Sequence, residues 1–256
     1  MILFPCSDAV AAIAQSAHAA AAFQIADHWG NRLVPRPSPR SDVLVAALLH
    51  DAGWDGREEP PRLAPGGTPL AFDTLDPEER EPLWTASVER ASLRGRYVAY
   101  LVSHHVSHLA DTYSHGAHPD FLAREEARRA TLRSALAGDP RYAGVLRTGA
   151  DAANRAIIRL TDAVAVLLGT GLTGRVRLPG LPTAEGEADL ELREVGERTY
   201  RLRPWPLAGR RLAVHAEARM LPARHFTDEA SLRAAWAAAA TVRLTWTLLA
   251  PGEPVD

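Results

Sequence analysis

Asp162 lies inside residues 157–168 (IIRLTDAVAVLL), a mostly apolar stretch near the end of a long helical region. A carboxylate on a buried helix face is costly unless a hydrogen-bonded partner or a metal ion compensates it. Whatever fold this chain adopts must bring such a partner to position 162. Three upstream segments offer one: His18, the doublet His50-Asp51 that closes the apolar run 43–49, and the cluster Ser103-His104-His105-Val106-Ser107-His108. Arg155 and Arg159, seven and three positions before Asp162, are the rival partners.

Composition narrows the chemistry. The chain has 256 residues, 46% of them hydrophobic, enough for one large domain or a domain with a smaller companion. A formal charge of −2 gives no pull toward nucleic acid or acidic membranes. No basic stripe with interleaved aromatics is visible, so the expected partner is a small molecule, with no nucleic acid and no membrane. Every one of the 29 basic residues is arginine. Schiff-base and P-loop lysine chemistry is thereby excluded, and anion contacts fall to arginine, backbone N–H groups or a metal. Cys6 is the single cysteine, which rules out an internal disulfide and a thiolate zinc cluster. The alanine-rich start lacks a basic leading segment and carries Asp8, Gln15 and His18, unlike an export signal. No run approaches about 18 apolar residues, and a cytoplasmic location is expected.

Periodicity and capping signals predict a first helix over about 7–29, ended by Gly30, and a second from Ser41 or Asp42 to Asp51, stopped by Gly53. Residues 55–73 read as a long loop, and Asp76-Pro77-Glu78-Glu79 as a helix start. Helices are expected over 77–92, 94–112, 119–137 and 150–169. After Gly174 the pattern changes to alternation over 188–195, 199–203, 211–220 and 241–249, interrupted by one helix at about 228–240. The expected fold is mainly α: a helical domain over 1–172, followed by a small α+β element over 173–256, antiparallel strands plus one helix, packed on it. Pro204-Trp205-Pro206 reads as a rigid link or sheet corner.

The candidate site is built from these segments. His50 and Asp51 are adjacent, about 100° apart on a helix, so both reach one ion only at a helix end or across a pocket. Imidazole nitrogen and carboxylate oxygen suit Mn, Fe, Zn or Ni. His18 sits among alanines that permit close packing, and Gln15, one turn earlier, is placed to hydrogen-bond a ligand or substrate. In the histidine cluster, His104 and His108 are separated by roughly 40° around a helix axis and His105 and His108 by roughly 60°. Two of the three can share a face. His115 and His118 follow in a loop and are expected to be solvated.

One His, a His-Asp doublet and a distal Asp, each on its own helix, resembles the HD-domain superfamily, with His18, His50, Asp51 and Asp162 at the matching positions. That resemblance implies an HD-like helical bundle holding a divalent metal, and extra histidines (His104, His105 or His108) that bind a second ion in some members. The interval from His50 to His104 is long and the bridging spacing of two-metal members is not evident, so one ion is expected rather than two. Segments 15–29, 47–54 (ALLHDAGW), Ser103-His104-His105 and the Pro-Trp-Pro stretch are more closely similar to a bacterial family recorded as a domain of unknown function.

The leading expectation is a metal-dependent hydrolase of a small phosphate ester or nucleotide that uses a metal-activated water. His18, His50, Asp51 and Asp162 would hold the ion. Asp51, His104 and His105 would be catalytic, with Asp51 or Asp55 handling the water and a histidine stabilising the phosphoryl charge. Gln15, Trp54, Asp55 and His108 would support the site or contact substrate. An HD-like di-iron oxygenase and a non-catalytic metal- or nucleotide-binding regulatory protein are the alternatives.

Overall fold

The computed structural model describes residues 1–113 and 116–255. Two short strands come first, β1 (Ile2–Pro5) and β2 (Val10–Ile13). Helices α1 (Gln15–Asp27) and α2 (Arg40–Leu49) follow, then a 3-10 turn at Ala52–Trp54. A second such turn at Phe72–Thr74 precedes α3 (Pro77–Ser92), α4 (Arg96–Tyr113), α5 (Pro119–Ala137), α6 (Pro140–Thr148) and α7 (Ala150–Gly169). The chain closes with β3 (Arg175–Thr183), β4 (Gly186–Gly196), β5 (Thr199–Arg203), β6 (Arg211–Leu221), α8 (Glu229–Ala238) and β7 (Thr241–Leu249).

The fold is α+β, which corrects the mainly-α expectation. A seven-stranded mixed sheet runs in the order β1-β2-β6-β7-β5-β4-β3. Strands β1 and β2 were hidden because residues 10–13 are four consecutive buried apolar residues with no alternation, a run that serves a helix or a buried strand equally well. Pairing decides the matter: β2 lies between β1 and β6 and is antiparallel to both, so it is buried on both faces. The first helix consequently starts at Gln15 rather than near Ser7. Strand β3 escaped because Pro179, Gly180 and Pro182 break its alternation around a bulge between Leu178 and Leu181. The sheet is not wholly antiparallel either, since β5 runs parallel to β7.

Helices α1 and α7 pack against the sheet at β6 and β3 respectively, and α2 and α4 pack against both α1 and α7 or one of them. One continuous core joins the helices to the inner face of the sheet, with Ile25, Leu101, Ile157, Leu160 and Trp246 among its fully buried side chains. A smaller cluster seats Leu232 and Trp236 of α8 on Val10 and Leu221. Pro204-Trp205-Pro206 lies in the connection from β5 to β6 and latches the end of α1. There the Gly30 N–H donates to the Pro206 carbonyl at 2.8 Å and the Asn31 amide to the Trp205 carbonyl at 2.8 Å. Among the described residues no helix is long and apolar enough to cross a membrane.

Candidate metal centre

The site forms where α1, the end of α2, α4 and α7 converge. His18 is 2% exposed on α1, whose alanines 19, 21, 22 and 26 are buried and bring the helix close to its neighbours. His50 directly follows the last residue of α2 and is fully buried. Its Nδ1 lies 2.7 Å from the carbonyl of Ala47, an acceptor only, so Nδ1 carries the proton and donates. The chain then leaves the helix and turns through Ala52–Trp54, which is what lets Asp51 come round to the same point as His50. Gly53 makes that turn fit: its N–H donates to Ser87 Oγ of α3 at 2.9 Å, and a methyl group there would overlap the Leu83 carbonyl.

His18 Nε2 is 2.9 Å from Asp162 Oδ1, and His50 Nε2 is 3.3 Å from the same oxygen. Asp51 Oδ2 is 3.4 Å from His50 Nε2 and 3.9 Å from His18 Nε2. The donor atoms of His18, His50 and Asp162 all lie within 4.8 Å of one another. Ligand atoms about 2.1 Å from a common ion stand roughly 3.0–3.4 Å apart in octahedral or tetrahedral arrangement, so the spacing fits a divalent ion. The arginine rivals are otherwise engaged: Arg155 approaches Asp151 at 3.6 Å, and Arg159 donates to the carbonyls of Pro179 and Gly180.

The electrostatics are those of a charged cluster held away from water. Burial disfavours the ionised form of Asp162, yet the hydrogen bond with His18 and the charge of the nearby His50 imidazole hold its carboxyl well below the usual carboxylate range. For His50, burial opposes the imidazolium, but the Asp51 and Asp162 carboxylates override it and raise the group well above an ordinary histidine. Asp51 is lowered in the same way, against burial, by the charge of the adjacent His50 imidazole.

His105 joins the cluster and His104 does not. His105 is 4% exposed, edge-on to the His50 ring at 4.9 Å between centroids, with Nε2 3.6 Å from Asp162 Oδ2. Neither of its ring nitrogens has a hydrogen-bond partner among the described residues. Burial, only partly offset by Asp162, pushes it down to about 4, so it is neutral at physiological pH. His104 turns instead to Tyr100, 4.6 Å between centroids, within electrostatic reach of Arg129 and Arg133 of α5 and Arg155 of α7. His108 is exposed, with Nδ1 3.4 Å from Thr112 Oγ1. Gln15 is 3% exposed and its Oε1 has no partner among the described residues. Trp54 and Asp55 line a cleft with Glu58 and Trp236, and the exposed Asp55 pairs with Arg90 at 3.2 Å. His118, expected in solvent, is 7% exposed, edge-on to Trp84 and 3.3 Å from Glu81 Oε2. Pro119 opening α5 was the signal that His118 caps a packed helix. His115 lies outside the described residues.

Fold and site together define an α+β protein with a buried His/Asp cluster able to hold a metal ion. The chain belongs to the family described as protein of unknown function (DUF3891), whose profile matches residues 1–223. Comparison with curated proteins and with solved structures gives no match.

Proposed function

We propose that this protein is a metal-dependent hydrolase of a small phosphate ester or nucleotide, related to the HD-domain superfamily. The observation that carries the reading is His50 Nε2. With the proton fixed on Nδ1, a neutral His50 aims a bare lone pair at two carboxylate oxygens 3.3 and 3.4 Å away, with no hydrogen bond at that nitrogen. Lone pairs that converge at full burial need a cation among them, either a proton or a metal. His18, His50 and Asp162 would hold the metal, and Asp51 is near enough to add an oxygen. The order His, His-Asp, Asp on separate elements supports the HD-like assignment.

A bound divalent ion would supply Lewis acidity toward a phosphoryl oxygen and toward water. The chain supplies the rest. Asp51, ionised at neutral pH, orients the attacking water and takes its proton on a carboxylate oxygen. Neutral His105 donates an N–H to a phosphoryl oxygen as negative charge builds there. Burial of the whole cluster excludes competing water and strengthens these contacts. His104 has no place in this scheme, because its ring faces Tyr100. The expected ligand is a small phosphorylated molecule in a cytoplasmic setting rather than nucleic acid or a membrane.

Metal analysis of the purified chain beside Asp162→Ala tests the reading. About one equivalent of Mn, Fe, Zn or Ni should accompany the wild type and vanish in the variant. Turnover on a panel of phosphate esters and nucleotides should then depend on the reloaded metal. No metal binding even after reconstitution would refute the site, and stoichiometric metal without turnover would leave a metal-binding regulatory protein. The unpartnered nitrogens of His105 are the one observation that favours a second ion. About two equivalents of iron would turn the reading toward a di-iron oxygenase.

A further inference from the structure

The bulge in β3 has a specific consequence for one arginine. Pro179 and Gly180 occupy the register shift between Leu178 and Leu181, and Gly180 adopts φ +80°, a left-handed conformation that favours glycine. Both bulge carbonyls point at Arg159 of α7, whose Nη2 donates to Pro179 O at 2.7 Å and Gly180 O at 3.1 Å. A methyl group at position 180 would overlap that nitrogen. Bulges commonly re-aim groups in this way beside functional sites.

Carbonyl partners fix the guanidinium without neutralising it. No carboxylate lies within 4.0 Å of Arg159 among the described residues; Glu187 and the Tyr113 hydroxyl act on it only from farther off. The side chain is half-buried, and burial lowers its pKa from the ordinary arginine value, which shows a cation short of compensation. Its position is equally informative. Arg159 is three residues before Asp162, a neighbour on the same helix face. Across from it on α4, the His108 ring sits within electrostatic reach of both Arg159 and Asp162.

We propose that Arg159, with His108 beside it, holds the phosphoryl group of the substrate next to the His18–His50–Asp162 cluster, an inference that rests on the phosphate-ester reading above. The planar guanidinium offers forked donors matched to a tetrahedral oxyanion, and one of its nitrogens is already anchored to the sheet. An incoming phosphoryl group would provide the counter-charge that the fold withholds.

The test is calorimetric titration of the full chain with inorganic phosphate, with metal content and thermal midpoint measured on every sample. Arg159→Gln should weaken phosphate about 10- to 100-fold while bound metal stays as in the wild type. Arg159→Lys, which keeps the charge and loses the fork, should fall between them. Gly180→Ala, which leaves the guanidinium in the chain but displaces it, should weaken phosphate too. Wild-type phosphate affinity in Arg159→Gln would overturn the proposal, and a lowered thermal midpoint alongside it would show that Arg159 only ties β3 to α7. Failure of the wild type to bind millimolar phosphate would overturn it as well. The two readings fail separately: a metal-free chain whose phosphate binding still depends on Arg159 keeps the anion site and loses the hydrolase.

Discussion

His104 and His105 are consecutive on α4, about 100° apart around its axis, and they enter opposite electrostatic regions. His105 meets Asp162, His50 and the charge of Asp51, where carboxylates and imidazoles crowd together. His104 meets Tyr100 and the charges of Arg155, Arg129 and Arg133, with Asp151 as the shared buried carboxylate. In the second region most ionic groups satisfy one another, although His104 Nε2 and Arg129 Nε have no hydrogen-bond partner among the described residues: Asp151 accepts from the Tyr100 hydroxyl at 3.1 Å and lies 3.5 and 3.6 Å from Arg133 and Arg155. Arg129 likewise donates to the Ser103 carbonyl and to Glu126. In the first region His50 Nε2 and both His105 nitrogens are left without a hydrogen bond. What differs is convergence: on the carboxylate side His18, His50 and Asp162 aim ligand atoms at one point, whereas on the arginine side the carboxylate is already ion-paired. The carboxylate side is thus the one able to hold a metal ion, and the arginine side is built from ion pairs.

The sharpest way to break the contrast is to remove one carboxylate from each region. Asp162→Ala strips His18, His50 and His105 of their shared anion. In the presence of a chelator it should cost about 3–5 kcal/mol in urea unfolding, the usual penalty for leaving a buried charge uncompensated. Asp151→Asn should cost less, about 1–3 kcal/mol, because Arg133 and Arg155 are partly exposed and can return to water. It should also leave bound metal untouched. Equal costs, or metal loss in Asp151→Asn, would mean that the two regions are one network.

The site was more legible in the sequence than the fold around it. An aspartate in an apolar helix and a His-Asp doublet after an apolar run are local anomalies, visible without knowing what packs where. His18, His50 and Asp162 do lie together in the structure. Helices 77–92 and 150–169 were equally plain, since a Pro-Glu-Glu start and a three-to-four-residue apolar spacing are also local. What stayed hidden depends on partners distant in the chain. Strand β2 is apolar on both faces only because β1 and β6 flank it, and α6 is nine residues long with two buried apolar positions, Tyr142 and Leu146. The choice between His104 and His105 needed the rotation of α4, and the role of Gly53 needed the approach of α3. Arg159 looked like a counter-ion for Asp162 from its spacing, and only the bulge in β3 shows where its guanidinium goes.

The smallest of these effects is also the most discriminating, because it isolates His104 through pH. Burial, reinforced by Arg155, Arg129 and Arg133, pushes His104 down to about 3, against an ordinary value near 6.5. As pH falls from 6.5 toward 3 the unfolded chain takes up a proton at this residue and the folded chain does not, so stability drops. The slope is at most about 1.4 kcal/mol per pH unit, and less here because the ring is only partly shielded from solvent. His50 behaves oppositely in the chelated protein. Its pKa is raised, so its contribution is complete below 6.5 and is lost as pH rises through the folded-state value. The two histidines therefore act on opposite sides of pH 6.5. His104→Gln should flatten the acid-side decline between pH 6.5 and 4.5 and leave the alkaline side as in the wild type, measured by urea unfolding with chelator present. If the substitution altered the alkaline side instead, His104 would be titrating with the carboxylate cluster, and the separation of α4 into a binding face and a scaffold face would fail.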